Sequence, residues 1–299
     1  MRDGSFRSGF IGIVGRPNVG KSTLLNAILK EKIAIITDKP QTTRNRITGI
    51  KNLPDGQLIF IDTPGIHPAK SPLNKAMVAE AFTVFTGVDV ILLIIEAPRG
   101  FLPGDKGILN KSIEAGLPIL LVINKTDLTS IEKVRSLLEE ARQFPGVKRV
   151  IPISAIMGEG IDQLIFTIKE MLPEGSPYFP PDILTDRSER FIAAEIIREK
   201  IMLHTQEEVP YSTAVTVEAF KEDEKRNLIK IEATITVERE SQKKILIGRG
   251  GNMLKKIGSE ARIELERFFA TRVFLSLFVR VRKDWSKDEK WLKEFGYKR

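Results

Sequence analysis

The sequence predicts an α/β half, built on a mostly parallel sheet covered by helices, followed by a smaller α+β half. Three observations carry that expectation. Up to about Leu172, short apolar runs alternate with amphipathic stretches of helical period. A proline-dense run, Leu172 to Asp186, then breaks the pattern. Beyond it, helical and alternating segments follow in the order α-β-β-α-α-β. The expected division is residues 1–172, a linker at 173–186, and residues 187–299.

In the first half, Ile11–Val14, Leu58–Ile61, Val90–Ile95, Ile119–Ile123 and Val150–Ile153 read as buried strands, short, apolar and bounded by turns. Leu24–Leu29 and Ile131–Phe144 are among the helical stretches between them. Strand–helix alternation of this kind makes a parallel sheet, and such sheets bind ligands at the carboxyl ends of their strands. The run LPEGSPYFPPDILTD has four prolines and one glycine, so no helix passes through it. In the second half, Ser188–Leu203 is helical and Thr213–Ala219 alternates. Leu228–Val237 places Ile229, Ile231, Ala233, Ile235 and Val237 on one face. Two more helices and a strand, Arg272–Arg282, complete the order.

The 299 residues suit about two domains, and 42% hydrophobic with 29% charged residues fits an ordinary globular chain. With no cysteine, disulfides and thiolate metal sites are excluded; with only His67 and His204, so is a histidine-rich metal site. MRDGSFRSGF lacks a signal peptide's apolar core, and runs such as Val90–Ile95 are far shorter than the ~20 residues of a membrane span. The expected location is cytoplasmic. The net charge is +8, and Ser241–Lys283 alone holds eleven Lys and Arg against Glu260, Glu264 and Glu266. That window points to a polyanionic partner.

Gly15–Ser22, GRPNVGKS, follows the Ile11–Val14 strand and opens a helical stretch, the context in which G-x-x-x-x-G-K-S cradles phosphate. Its glycines let backbone N–H groups turn toward an anion. Lys21 would reach the β- and γ-phosphates and the Ser22 hydroxyl would hold Mg²⁺. DTPG, Asp62–Gly65, follows the next strand: Asp62 would join the Mg²⁺ shell and the Gly65 N–H would sense a γ-phosphate. QTTR, Gln41–Arg44, would lend a threonine to the metal; Thr42 competes with Thr43, which is favoured because it directly precedes Arg44. NKTD, Asn124–Asp127, names the base. A carboxylate is an acceptor only, and guanine presents two donors side by side where adenine has none. Asp127 would select guanine, Asn124 brace the loop, and the Lys125 stem lie over the base. In SAI, Ser154–Ile156, the Ala155 N–H would meet the guanine carbonyl. NKTD argues against a small-metabolite kinase or ATPase.

These segments, in this order, resemble the motifs of the translation-factor class of P-loop GTPases. The resemblance implies GTP and GDP as ligands, held by Gly15, Asn18, Gly20, Lys21, Ser22, Thr23, Asp62, Gly65, Asn124, Lys125, Asp127, Ser154 and Ala155. It implies Mg²⁺ on Ser22, Thr43 and Asp62, and catalytic parts for Lys21, Asn18, Thr43 and Gly65. Ile66 stands where many signalling GTPases carry a glutamine, and an isoleucine cannot orient water; His67 is its neighbour. GTPases with a hydrophobic residue there can use a monovalent cation near the asparagine matched by Asn18, so the resemblance implies K⁺. Intrinsic hydrolysis is expected to be slow, on the order of 10⁻⁴ to 10⁻² per second.

In the basic half, IGRGG (Ile247–Gly251) holds a G-x-x-G between a helical turn, Gln242–Leu246, and the amphipathic stretch Asn252–Phe268. In an α-β-β-α-α-β unit this resembles a type II KH domain, whose glycine loop clamps the backbone of about four nucleotides. The RNA-binding residues implied are Lys244, Ile247, Gly248, Arg249, Gly250, Gly251, Lys255 and Lys256. Ile245, Ile247 and Ile257 are candidates for an apolar face under the bases, with Ile257 the better candidate for core packing. Over nearly the whole chain, tail WSKDEKWLKEFGY included, the sequence resembles the Era-like GTPase family of one G domain plus one KH domain. That resemblance implies the 3′ end of small-subunit ribosomal RNA and the 30S subunit as partners. It implies no DNA partner and admits a peripheral contact with the inner membrane. The alternative is a GTPase whose KH-like domain grips protein.

Overall fold

The computed structural model describes residues 6–66, 68–69 and 71–298. The chain divides into two compact units. One comprises Met1–Ala34, Thr43–Pro68 and Met77–Asp186; the other Ile35–Thr42, Ala69–Ala76 and Arg187–Arg299.

The first unit runs β1 (Arg7–Val14), α1 (Lys21–Leu29), β2 (Ile47–Leu53) and β3 (Gly56–Asp62), then α2 (Pro72–Phe82), which the division cuts. It continues with β4 (Val90–Glu96), α3 (Pro103–Glu114), β5 (Ile119–Asn124), α4 (Ile131–Arg142), β6 (Val147–Pro152) and α5 (Ile161–Met171). Its sheet has the order β2-β3-β1-β4-β5-β6, parallel except where β2 pairs β3 antiparallel. Apolar strands such as VILLIIE are buried throughout, as expected of strands covered on both faces. The carboxyl ends of β1, β3, β4 and β5 lie side by side in register: Gly12 pairs Ile61 and Glu96 pairs Asn124. Every loop that carries a nucleotide motif leaves the sheet at that edge.

The proline-rich run belongs to this unit and lies along the sheet's side. The Ile50 N–H donates to the Leu184 carbonyl (2.8 Å), Ser8 Oγ to the Ser176 carbonyl (2.7 Å) and Asn52 Nδ2 to the Pro181 carbonyl (2.9 Å). Gln57 accepts from the N–H groups of Tyr178 and Phe179 and donates to the Phe179 carbonyl. Prolines deny the run a regular ladder, so polar side chains of β2 and β3 satisfy its backbone instead.

The second unit holds α6 (Glu189–His204), β7 (Ala214–Asp223), β8 (Leu228–Val237), α7 (Glu240–Ile247), α8 (Asn252–Phe269), β9 (Arg272–Val281) and α9 (Glu289–Glu294). Its sheet is β7-β8-β9, with β7 antiparallel and β9 parallel to β8. Ile229, Ile231, Ala233, Ile235 and Val237 form its core with Ile196, Ile197, Leu246, Ile257 and Leu265. The tail closes the unit: Trp285 is fully buried, donates from Nε1 to the Ser212 carbonyl at 2.9 Å, and meets Phe295 edge-on.

Candidate nucleotide and nucleic-acid sites

The β1–α1 loop is shaped by close approaches that exclude a side chain. A Cβ on Gly15 would lie 2.7 Å from the Ile94 carbonyl, and one on Gly20, at φ 96°, would lie 2.3 Å from Asn124 Nδ2. Gly20 caps α1 without a side-chain hydrogen bond, which leaves the first-turn N–H groups facing the loop. Thr23 stands in that turn. Lys21 is buried, and its Nζ donates to the carbonyls of Gly15 (3.2 Å) and Arg16 (3.0 Å). Burial draws its pKa down to about 8, against the pull of Asp62. Such a lysine gains from an arriving phosphate.

The three hydroxyl and carboxylate groups expected to hold a metal converge. Ser22 Oγ donates to Asp62 Oδ2 at 2.7 Å and lies 2.8 Å from Thr43 Oγ1. Thr42 turns elsewhere, its Oγ1 donating to the Lys39 carbonyl (2.7 Å) and lying 2.6 Å from Thr37 Oγ1. Asp62 is fully buried, and its other oxygen, Oδ1, has no hydrogen-bond partner. Burial raises its pKa to about 6, partly offset by the Lys21 charge. A buried, half-satisfied carboxylate at the end of a Thr43–Ser22–Asp62 chain suits a hard divalent cation such as Mg²⁺. Gly65 sits against the phosphate loop, where a Cβ would come within 2.8 Å of the Pro17 backbone. His67 lies outside the described residues.

The base-reading loop is braced from β5. Asn124 Nδ2 donates to the Val19 carbonyl at 2.9 Å and ties this loop to the phosphate loop. Ser154 Oγ donates to Asp127 Oδ1 at 2.6 Å, holding the exposed carboxylate in place. Lys125, at φ 65°, stretches its Nζ to the Asn18 carbonyl at 2.6 Å. The Ala155 N–H, expected to meet the guanine carbonyl, donates here to Asn124 Oδ1 at 3.0 Å. It locks the asparagine, so a guanine carbonyl there would share it.

In the second unit, Gly248, Gly250 and Gly251 all take positive φ (71°, 59° and 80°). A Cβ on Gly248 would lie 2.7 Å from Met253 Cβ, while Gly250 and Gly251 face open space. Three left-handed residues in four bring the backbone to the surface, as a clamp on phosphates requires. Lys244, Arg249, Lys255 and Lys256 are all exposed around it, and Ile247 is half-buried as the last residue of α7. Among the apolar candidates only Ile245 is well exposed; Ile257 is fully buried in the core. Sequence reasoning missed the groove beside the loop, lined by Gly251, Leu254, Lys255, Gly258, Leu275 and Leu277. Its signal was Gly258, where a Cβ would crowd Leu277 at 3.3 Å.

A guanine-nucleotide site at the edge of a P-loop sheet, in one chain with a glycine-loop nucleic-acid clamp, defines a GTPase of the RNA-binding class. The family described as "50S ribosome-binding GTPase" matches residues 10–125, and the KH domain family matches residues 208–286. The chain is 59% identical over 292 residues to GTPase Era of Syntrophus aciditrophicus, covering 98% of this chain and 95% of that protein. It is 56% identical over 297 residues to GTPase Era of Geobacter metallireducens, covering 99% of this chain and all of that protein. A crystal structure of an Aquifex aeolicus Era variant bound to GDP and AlF₄⁻ superimposes with a TM-score of 0.95 at 42% identity, covering 98% of this chain and 100% of that one. A crystal structure of Era with MgGDPNP and nucleotides 1506–1542 of 16S ribosomal RNA gives 0.94, with the same identity and coverage. The chain belongs to the Era family of GTPases.

Proposed function

We propose that this chain is a GTP-hydrolysing switch that binds the single-stranded 3′ end of small-subunit ribosomal RNA through its KH unit, during assembly of the 30S subunit. The observation that carries this reading is the glycine loop of Gly248–Gly251, open to solvent and ringed by exposed Lys244, Arg249, Lys255 and Lys256. A relative of 42% identity that binds a 16S fragment supports the choice of RNA.

In this reading the nucleotide lies across Gly15, Asn18, Gly20, Lys21, Ser22 and Thr23, with its base between Asn124, Lys125, Asp127, Ser154 and Ala155. Mg²⁺ on Ser22, Thr43 and Asp62 supplies charge neutralisation at the β- and γ-phosphates. Lys21 and the first-turn N–H groups of α1 stabilise the negative charge that builds on the leaving phosphate. Gly65 brings its N–H to the γ-phosphate side, which links hydrolysis to the loop after β3. The Ile66 side chain offers no polar atom for the attacking water; a K⁺ held beside Asn18 would supply further charge stabilisation at the phosphates. In this reading the work is done in the cytoplasm; no helix among the described residues is long and apolar enough to cross a membrane.

The test is the double variant Arg249→Asp/Gly250→Asp. Both positions are exposed and a Cβ at Gly250 meets no atom, but its φ of 59° strains any side chain, so the variant's melting temperature is measured alongside to show that the unit stays folded. RNA affinity for a 16S 3′-end oligonucleotide should fall at least a hundredfold while GTP affinity stays unchanged. Intact RNA binding would refute the clamp and make a protein the partner of this unit.

A further inference from the structure

Arg16, Glu96 and Asp105 take no part in the roles assigned above, yet they form a partly buried chain of alternating charge with Lys125. Arg16 is the second residue of the phosphate loop. Its side chain crosses the start of α3 at Gly104, where a Cβ would lie 2.9 Å from Arg16 Cδ. Its Nε then donates to both carboxylate oxygens of Asp105 at 2.9 Å each. Asp105 is fully buried and also accepts from the Leu102 N–H at 3.0 Å, so it is fixed from two sides. On the opposite flank, Arg16 Nη2 lies 3.6 Å from Glu96 Oε1. Glu96 ends β4, and its Oε2 accepts from Lys125 Nζ at 2.8 Å.

The chain closes on itself. Lys125 Nζ also donates to the Asn18 carbonyl at 2.6 Å, and Asn18 stands two residues beyond Arg16. The phosphate loop is thus gripped at Arg16 by its side chain and at Asn18 by its backbone, with the lysine of the base-reading loop in the same circuit. Lys125 sits at φ 65°, a conformation a lysine adopts only when its surroundings impose it. Exposed ion pairs contribute little, but here the carboxylates are shielded, with side-chain exposures of 9% for Glu96 and 0% for Asp105. Removing one partner of a shielded pair leaves the other without compensation.

We propose that Glu96 and Asp105 are positioning residues of the nucleotide site: acting through Arg16 and Lys125, they hold the phosphate loop and the base-reading loop at a fixed spacing before the nucleotide arrives. The proposal rests on the nucleotide-site reading given above. Such preorganisation acts on retention of the whole nucleotide, in its GDP and GTP forms alike. It leaves base choice to Asp127 and the chemical step to the phosphate side.

The experiment uses the full chain with Mg²⁺ and measures release of a fluorescent GDP, KM and kcat for GTP, KM for ITP, and the melting temperature. Glu96→Gln keeps the shape and removes the charge. It should speed GDP release about tenfold, the effect of losing one charge-assisted hydrogen bond. KM for GTP should rise by a similar factor with kcat changed less than about twofold, and ITP should weaken in parallel. Asp105→Asn should do the same. The double variant should fall short of the product of the two effects, because both act through one circuit. Arg16→Lys should behave like the two single variants, since an ammonium cannot supply the guanidinium fork. Unchanged release in both single variants, or a lowered melting temperature with unchanged release, would reduce the circuit to a structural ion pair and overturn the proposal. So would a fully multiplicative double variant. If Glu96→Gln does not fold, Arg16→Met at the half-buried position carries the same test. A wild-type chain that did not retain GDP would overturn the site reading as well, an outcome separate from any difference between variants.

Discussion

Asp62 is the residue at which metal binding and stability oppose each other, and Asp62→Asn exposes that opposition. Burial raises the Asp62 pKa from 3.8 to about 6 in the folded chain. A carboxyl raised in this way favours the fold fully below pH 3.8, and that contribution is lost as the pH rises through about 6. The shift, 6 minus 3.8, is about 2 units, so the ionised side chain weakens the nucleotide-free unit by about 3 kcal/mol at neutral pH. The asparagine removes that charge while its carbonyl can still accept from Ser22 Oγ, 2.7 Å away in the wild type. Its NH₂ group takes the place of the unpartnered Oδ1 and costs about 1–3 kcal/mol of desolvation. The balance is a gain of up to about 2 kcal/mol, or several degrees in Tm. Thermal unfolding of nucleotide-stripped, EDTA-treated protein between pH 4 and 8 measures it. The variant should gain on the wild type as the pH rises from 4 to 7. With Mg²⁺ and GTP present the order should reverse, because the wild type alone keeps the carboxylate that suits the cation. A variant less stable by the same amount at pH 4 and pH 8 would refute the argument, since the hydrogen bond and not the charge would then decide.

Three other outcomes follow from the sites. Asp127→Asn presents a donor where guanine needs an acceptor, so GTP affinity should fall at least a hundredfold and xanthosine triphosphate should bind better; equilibrium titration of both nucleotides checks it. Hydrolysis in KCl should exceed that in NaCl at equal ionic strength several-fold if Asn18 serves a potassium ion, and equal rates would return attention to the loop after β3. Lys255→Ala removes one exposed cation beside the glycine loop. Its RNA affinity should fall modestly and its salt slope shrink by about 0.7, the signature of one lost contact to single-stranded phosphate.

What could be read from the sequence was whatever is local. GRPNVGKS carries its signature in eight consecutive residues, although the contacts that exclude a Cβ at Gly15 and Gly20 reach Ile94 of β4 and Asn124 of β5. NKTD does likewise, since the chemistry of Asp127 depends on a carboxylate and little else. The missing parts depend on residues far apart in the chain. Arg16 meets Asp105 across 89 positions, and nothing in PGDKGIL marks that aspartate as more than a helix-start residue. β2 escaped notice because ITGIKNL mixes glycine, lysine and asparagine at an edge, where pairing with β3 supplies the order that propensity does not. β9 shows the limit of periodicity itself. RVFLSLFVRV sets Val273, Leu275, Leu277, Val279 and Val281 against Arg272, Phe274, Ser276, Phe278 and Arg280, but alternation does not say what the Leu275–Leu277 face packs against, and it leaves Phe274 and Phe278 each 58% exposed. The parallel pairing of β9 with β8 decides it, placing Leu275 and Leu277 beside Ile231 and Ala233 of the buried face. The groove beside the glycine loop therefore takes its charge from residues the sequence advertises and its apolar floor from a pairing that only the fold reveals.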